Sequence, residues 1–129
     1  MGQVKVYGLA TQINPIKRQL SDIIHACVVD ALQFPLDKRA HRFFPLAAED
    51  FFYPEGRSLA YTIIEITMMS GRTAETKKRL VRLLFDKIAS GVGIQPHDLE
   101  ICILESPPHN WGFRGMHGDE IKLNYKVEI

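Results

Sequence analysis

The chain has 129 residues, 46% of them hydrophobic and 24% charged, with a formal net charge of +1. That length suits one domain with its own core rather than two, and the near-neutral charge excludes a general pull toward nucleic acid or an anionic membrane. No early apolar stretch has the form of a secretory signal, and no run is long enough to span a bilayer. Val6 stands where a myristoylation start needs Ser or Thr, so the expectation is a cytoplasmic protein. Cys27 and Cys102 each sit in an apolar pattern, which predicts buried thiols in a reducing compartment.

In chain order, Gln3 to Leu9 alternates Val4 and Val6 against Lys5 and Tyr7, the period of a strand. Asn14-Pro15 predicts an N-cap followed by proline at the first helical position. Ile16, Leu20, Ile23, Ile24, Cys27, Val28, Ala31 and Leu32 then form one apolar stripe, a helix ending before Pro35. Arg39 to Leu46 reads as a second strand. Ala47 to Leu59 is an irregular connection carrying Phe51, Phe52 and Tyr53, with room for a short strand or helical turn. An apolar run from Tyr61 to Met69 predicts a third strand. Ser70-Gly71-Arg72-Thr73 turns it into an amphipathic helix over about Ala74 to Gly91. A fourth strand covers Leu99 to Leu104. Trp111 to Gly118 is a loop punctuated by Gly112, Gly115 and Gly118, and Ile121 to Ile129 alternates as a final strand with one wet face.

A shift of sixty residues superposes the two halves without a gap. Val4 and Val6 fall on Ile64 and Ile66; Leu20, Ile23 and Ile24 on Leu80, Leu83 and Leu84; Val28 on Ile88; Phe43 and Phe44 on Ile103 and Leu104. The chain is expected to be a single domain over 1–129 with internal repeats of about 1–60 and 61–129. The fold class is α/β: two fused β-α-β units forming a four-stranded sheet with both helices on one face, plus short extra strands. The other face carries Tyr61, Ile63, Glu65 and Thr67 on the third strand, too apolar to stay wet, so the expectation is an oligomer whose sheets pack inward.

Three features together, the duplicated β-α-β unit, the junction Gly71-Arg72-Thr73-Ala74-Glu75-Thr76-Lys77-Lys78 and the stretch Glu105-Ser106-Pro107-Pro108-His109-Asn110-Trp111-Gly112, resemble the tautomerase superfamily. Within it the chain looks most like the longer, fused-unit members, malonate semialdehyde decarboxylase and its tautomerase-like relatives. Macrophage migration inhibitory factor is a more distant cousin. The resemblance implies a homotrimer, sites near subunit boundaries, and cofactor-free chemistry on small oxo-carboxylic acids. It also implies an amino-terminal proline as the proton acceptor; here that position is Gly2.

If Met1 is removed, Gly2 exposes a primary amine whose reference pKa is about 7.7–8.0. Burial beside Arg72 would lower it and leave a base for a carbon next to a carbonyl. The plain reading of Gly2 is the start of an edge strand. Arg72 carries a planar fork suited to a substrate carboxylate, with the N-terminus of the following helix adding favourable potential. Ser70 stands where malonate semialdehyde decarboxylase has a second arginine. That enzyme's catalytic aspartate points to Asp37, beside Lys38 and Arg39, in a register open to a slip of one residue. Asp37 orients water in this reading, or belongs to a charged turn. His41 is a general acid or a half-buried strand residue. Trp111 walls an apolar pocket or anchors an interface, and Arg114 supplies a second carboxylate contact. Tyr53 is a weaker candidate of the same kind.

His25, His41, His97, His109 and His117 show no paired metal spacing, so no metal is expected. The basic helix face with Lys77, Lys78, Arg79, Arg82 and Lys87 reads as solvated rather than as a nucleic-acid footprint. The chain is thus expected to be a tautomerase-type protein binding a small carboxylate. The alternative is a relative that lost its amine base and serves as an anion-binding or interaction protein.

Overall fold

In the computed structural model, residues 2–129 are described. β1 (Gly2–Leu9) buries Val4 and Val6 and leaves Lys5 and Tyr7 on the opposite face. A short helix, α1 (Ala10–Ile13), buries Ile13. α2 (Lys17–Leu32) leads to β2 (His41–Leu46), and β3 (Thr62–Met69) leads through α3 (Ala74–Val92) to β4 (Leu99–Ser106). The sheet order is β2-β1-β3-β4. The outer pairs are parallel and the central β1–β3 pair is antiparallel, with Val4 opposite Ile66 and Val6 opposite Ile64.

Both long helices cover the same face. Leu20 and Ile24 of α2 and Leu80, Leu84 and Ile88 of α3 are fully buried against Val4, Val6, Ile64 and Ile66. Each such side chain contributes about 1.5–3 kcal/mol by leaving water. α2 ends at Gln33 and α3 at Gly93, both left-handed caps. Thr73 caps α3 by accepting a hydrogen bond from the Thr76 amide at 3.2 Å.

Several details depart from the sequence reading. Asn14-Pro15 does not start α2. The Asn14 amide closes α1 on the Ala10 carbonyl at 3.1 Å, and Pro15, with no N–H, lies in the turn before α2. β1 is an internal strand, not an edge, because β2 crosses to its far side. Tyr61 is buried rather than on the open face, covered by Phe51 and Tyr53, while Phe52 is 90% exposed. Cys102 is exposed, because its place in β4 points away from the helices; Cys27 is buried.

The segment 121–129 is not a strand. Its odd-numbered residues do pack down and its even-numbered ones face solvent, but it joins neither sheet. Between β4 and this tail, β5 (Gly112–Phe113) and β6 (Met116–His117) form a small hairpin. Its two central residues, Arg114 and Gly115, both have positive φ (56° and 73°), as a tight primed turn requires.

Candidate active site

Register brings three chain segments to one end of the sheet. Gly2 pairs with Met68, so the start of β1 meets the end of β3. His41 pairs with Val4, so the start of β2 lies there too. The second half of α2 covers this end with Val28 and Leu32, followed by Phe34. Gly2, Val4, His41, Ile66 and Met68 all face the helices and enclose a narrow cavity completed by His25, Lys38, Ala40 and Arg72. Its volume is about 20 Å³, room for about one water. Among the described residues, two cations line it and no carboxylate does.

Arg72 reaches the cavity because Gly71, at φ 140°, turns the chain sharply between β3 and α3. A side chain at Gly71 would also meet Val127 of the tail at 3.0 Å. The Arg72 side chain is only 5% exposed. Its Nη1 donates to the Met69 carbonyl at 3.2 Å, while Nε and Nη2 are buried without a hydrogen-bond partner. Burial lowers its pKa from the usual guanidinium range, and Tyr125 and Glu105 oppose that shift. Glu105 itself pairs with Lys77 at 2.7 Å. A buried guanidinium with idle donors is costly unless an anion completes it.

His41 Nδ1 lies 2.8 Å from Ser21 Oγ on α2. Burial, then the neighbouring His25, then Arg39 push the His41 pKa down to about 4, so its ring is neutral near pH 7. His25 is 2% exposed and donates from Nε2 to the Leu36 carbonyl at 2.7 Å. The two rings meet edge to face at 5.9 Å.

Of the residues singled out in the sequence, Gly2, His41 and Arg72 converge on this cavity. Asp37 is exposed in the turn after α2, and the neighbouring Lys38 lines the cavity in its place. Trp111 lies on the loop after β4, its Nε1 donating to the Ser106 carbonyl at 3.3 Å, and does not line the cavity. Arg114 is exposed at the hairpin turn, with its guanidinium 5.7 Å from the Phe113 ring centre. Tyr53 stacks on Tyr61 in a separate aromatic cluster. Sequence reasoning missed Ser21 and His25. Their signal was a polar pair four residues apart, continuing through Val28 and Leu32 along the buried side of α2.

The tail packs beside the cavity, against two of its lining residues. Tyr125 packs edge to face on Phe34 with ring centres 4.9 Å apart, and Lys38 Nζ sits 5.9 Å from the Tyr125 ring centre. Burial raises the Tyr125 pKa, and the charges of Arg72 and then Arg114 pull it back. The Ile129 carbonyl accepts from Thr73 Oγ1 at 3.1 Å and Thr76 Oγ1 at 2.6 Å, which straps the tail to the start of α3.

A family described as "Tautomerase enzyme" matches residues 38–114. The chain belongs to this tautomerase family. The matched span holds Lys38, His41, Arg72, Trp111 and Arg114; Asp37 falls just before it, and Gly2 lies well outside it at the start of β1. Among relatives, "Probable tautomerase YrdN" of Bacillus subtilis (strain 168) is 29% identical, over 74% of this chain and 78% of its own. A malonate semialdehyde decarboxylase inhibited by 3-bromopropiolate superposes with a TM-score of 0.78 at 25% identity, covering 86% of this chain and 88% of that one. A fused 4-OT symmetric trimer superposes with a TM-score of 0.79 at 19% identity, covering 91% of this chain and 96% of that one. The fold is that of the tautomerase superfamily.

Proposed function

We propose that the chain catalyses proton transfer on a small oxo-carboxylic acid, a keto–enol tautomerisation or a related decarboxylation or hydration. The observation that carries this reading is Arg72: a buried guanidinium with two unpartnered nitrogens, in a cavity shared with Gly2 and His41. Its fork holds the substrate carboxylate bidentately. With Met1 removed, the neutral Gly2 amine takes the proton from the carbon beside the carbonyl, and the electron pair moves onto the carbonyl oxygen as an enolate. Reprotonation at carbon or oxygen completes either direction, and the carbonyl itself is the electron sink, so no cofactor is needed. Asp37, Trp111 and Arg114 take part after local rearrangement at the mouth. A cavity of about 20 Å³ is too small for such an acid, so binding requires its lining to open.

The similarity to a decarboxylase inhibited by 3-bromopropiolate, a small carboxylate, supports the substrate class. The trimeric fused 4-OT relative supports self-association as a homotrimer. So does the uncovered sheet face, where Ile63, Glu65 and Thr67 are half-buried and Leu104 is 43% exposed. We read the whole chain as one tautomerase-like domain of two fused units, working in the cytoplasm without nucleic acid or membrane. One observation favours a second reading: Gly2 lacks the ring that orients a proline nitrogen, which fits an anion-binding relative with impaired catalysis.

Ketonisation of phenylenolpyruvate by the purified protein, beside Arg72→Ala, separates these readings. The first requires turnover above buffer that collapses in the variant. Buffer-like rates in both transfer the assignment to the anion-binding reading, and equal activity in both removes Arg72 from the site.

A further inference from the structure

Resting on the oxo-acid reading of this cavity, we propose that His41 acts as a neutral hydrogen-bond donor to the substrate's carbonyl oxygen, with Ser21 and Arg39 as positioning residues that fix its proton on Nε2.

The inference starts from who donates to whom. Arg39, two residues before β2, reaches back along α2. Its Nη1 lies 2.6 Å from Asp22 Oδ1 and 3.4 Å from Ser21 Oγ. A guanidinium has only donors, so at both contacts the oxygen accepts. That leaves the Ser21 hydroxyl hydrogen for its other partner, His41 Nδ1, at 2.8 Å. The opposite arrangement would use both Ser21 lone pairs as acceptors and leave the hydroxyl hydrogen without an acceptor, because Ser21 Oγ has no third partner among the described residues. With Nδ1 accepting, a neutral imidazole carries its proton on Nε2.

The surroundings hold the ring in that state. His25 stands edge-on at 5.9 Å, Arg39 lies behind Ser21, and Lys38 and Arg72 line the same cavity; only Asp22, already paired with Arg39, offers a negative charge. Burial acts in the same direction. A neutral imidazole that does not take a second proton near pH 7 is a fixed N–H dipole. Such a donor, set in place before the reaction, stabilises the oxygen on which enolate charge develops. No proton passes through His41: the carbon-bound proton goes to the proton acceptor and returns, and the Nε2–H bond stays intact.

The test is imidazole NMR on the full chain, free and with pyruvate, joined to phenylenolpyruvate kinetics. The unaltered protein is expected to show His41 as the Nε2–H tautomer, with that signal moving when pyruvate binds. Ser21→Ala should scramble the tautomer and lower kcat about tenfold with KM little changed, and Ser21→Thr, which keeps the hydroxyl, should restore both. His41→Phe should lower kcat about 100-fold, the scale of losing one donor to a developing oxyanion. An Nδ1–H tautomer in the free protein overturns the proposal. So does an identical tautomer in Ser21→Ala, or pyruvate bound through Arg72 without any change at His41. If pyruvate fails to bind the unaltered protein, the oxo-acid reading falls and the donor role with it. The tautomer in the free protein still judges the Ser21–Arg39 arrangement separately.

Discussion

Replacing Arg72 by methionine should make the fold more stable while removing its anion site. The side chain is 5% exposed, and it leaves Nε and Nη2 buried without partners. A buried donor left unmade costs about 1–3 kcal/mol, more when charged. Against this, Arg72→Met gives up the 3.2 Å bond to the Met69 carbonyl, a contribution of about 1–3 kcal/mol once that carbonyl is left alone. Buried charged groups replaced by apolar ones of similar shape are often neutral to about 4 kcal/mol more stable. The expected net gain is about 1–3 kcal/mol, read as a higher urea midpoint at unchanged slope. Pyruvate supplies the second half of the test. At a concentration of about 100 times its Kd it should stabilise the unaltered protein by about 2.7 kcal/mol and leave Arg72→Met unmoved. The reasoning is refuted if the variant loses more than about 1 kcal/mol and pyruvate shifts both proteins alike. Arg72 would then be a structural anchor whose donors are not waiting for a ligand.

Three further outcomes follow from the same geometry. His41 titrates near pH 6.5 when unfolded and at about 4 when folded, so its contribution is complete above pH 6.5 and is lost as the pH falls toward 4. Solvent screening at this partly exposed ring keeps that contribution well below the roughly 3 kcal/mol of the full shift, and His41→Phe should flatten this part of a urea-stability curve; an unchanged acid limb would place the pH sensitivity elsewhere. At Gly2 an added Cβ would sit 3.9 Å from Phe34 and from the Thr67 carbonyl, so there is room for the first ring carbon of a Gly2→Pro variant. With Met1 removal checked by intact mass, it should raise phenylenolpyruvate ketonisation at least tenfold; a processed variant no faster than the original would count against the amine as base. On the uncovered sheet face, Leu104→Lys should reduce the proposed trimer to a monomer in light scattering, whereas an unchanged mass would move the interface off this face.

The framework of the fold was legible because burial and periodicity agree along it. Val4 and Val6, Ile64 and Ile66, and the helix stripes through Leu20 and Leu80 face one core, so each local pattern had one global solution. Pattern reading failed where two residues of one type meet different neighbours. Cys27 and Cys102 both lie in apolar runs, yet only the former points toward a helix. At the site, Arg72 was visible as a cation in a first helical turn, Gly2 came from the resemblance as the position of an amino-terminal proline, and His41 was a strand histidine with two readings. Their convergence depends on β1 lying between β2 and β3, which the repeat supplies. Asp37 stands in a register that the sequence left open by one residue, and in that turn Asp37 is exposed while Lys38 faces the cavity.

The tail shows why alternation alone does not make a strand. From Ile121 to Ile129 every second residue packs down, as a period of two demands. Strand character needs a ladder as well, and the polar anchors here run elsewhere: the Ile129 carbonyl is held by Thr73 and Thr76 at the start of α3. Alternation therefore reports an extended segment with one face down, and nothing about what lies beside it. That face carries Tyr125 onto Phe34 and next to Lys38, where the charges of Arg72 and Arg114 both reach its phenol. Two arginines from separate parts of the chain thus act on one ring that packs against Phe34 and Lys38 of the cavity lining.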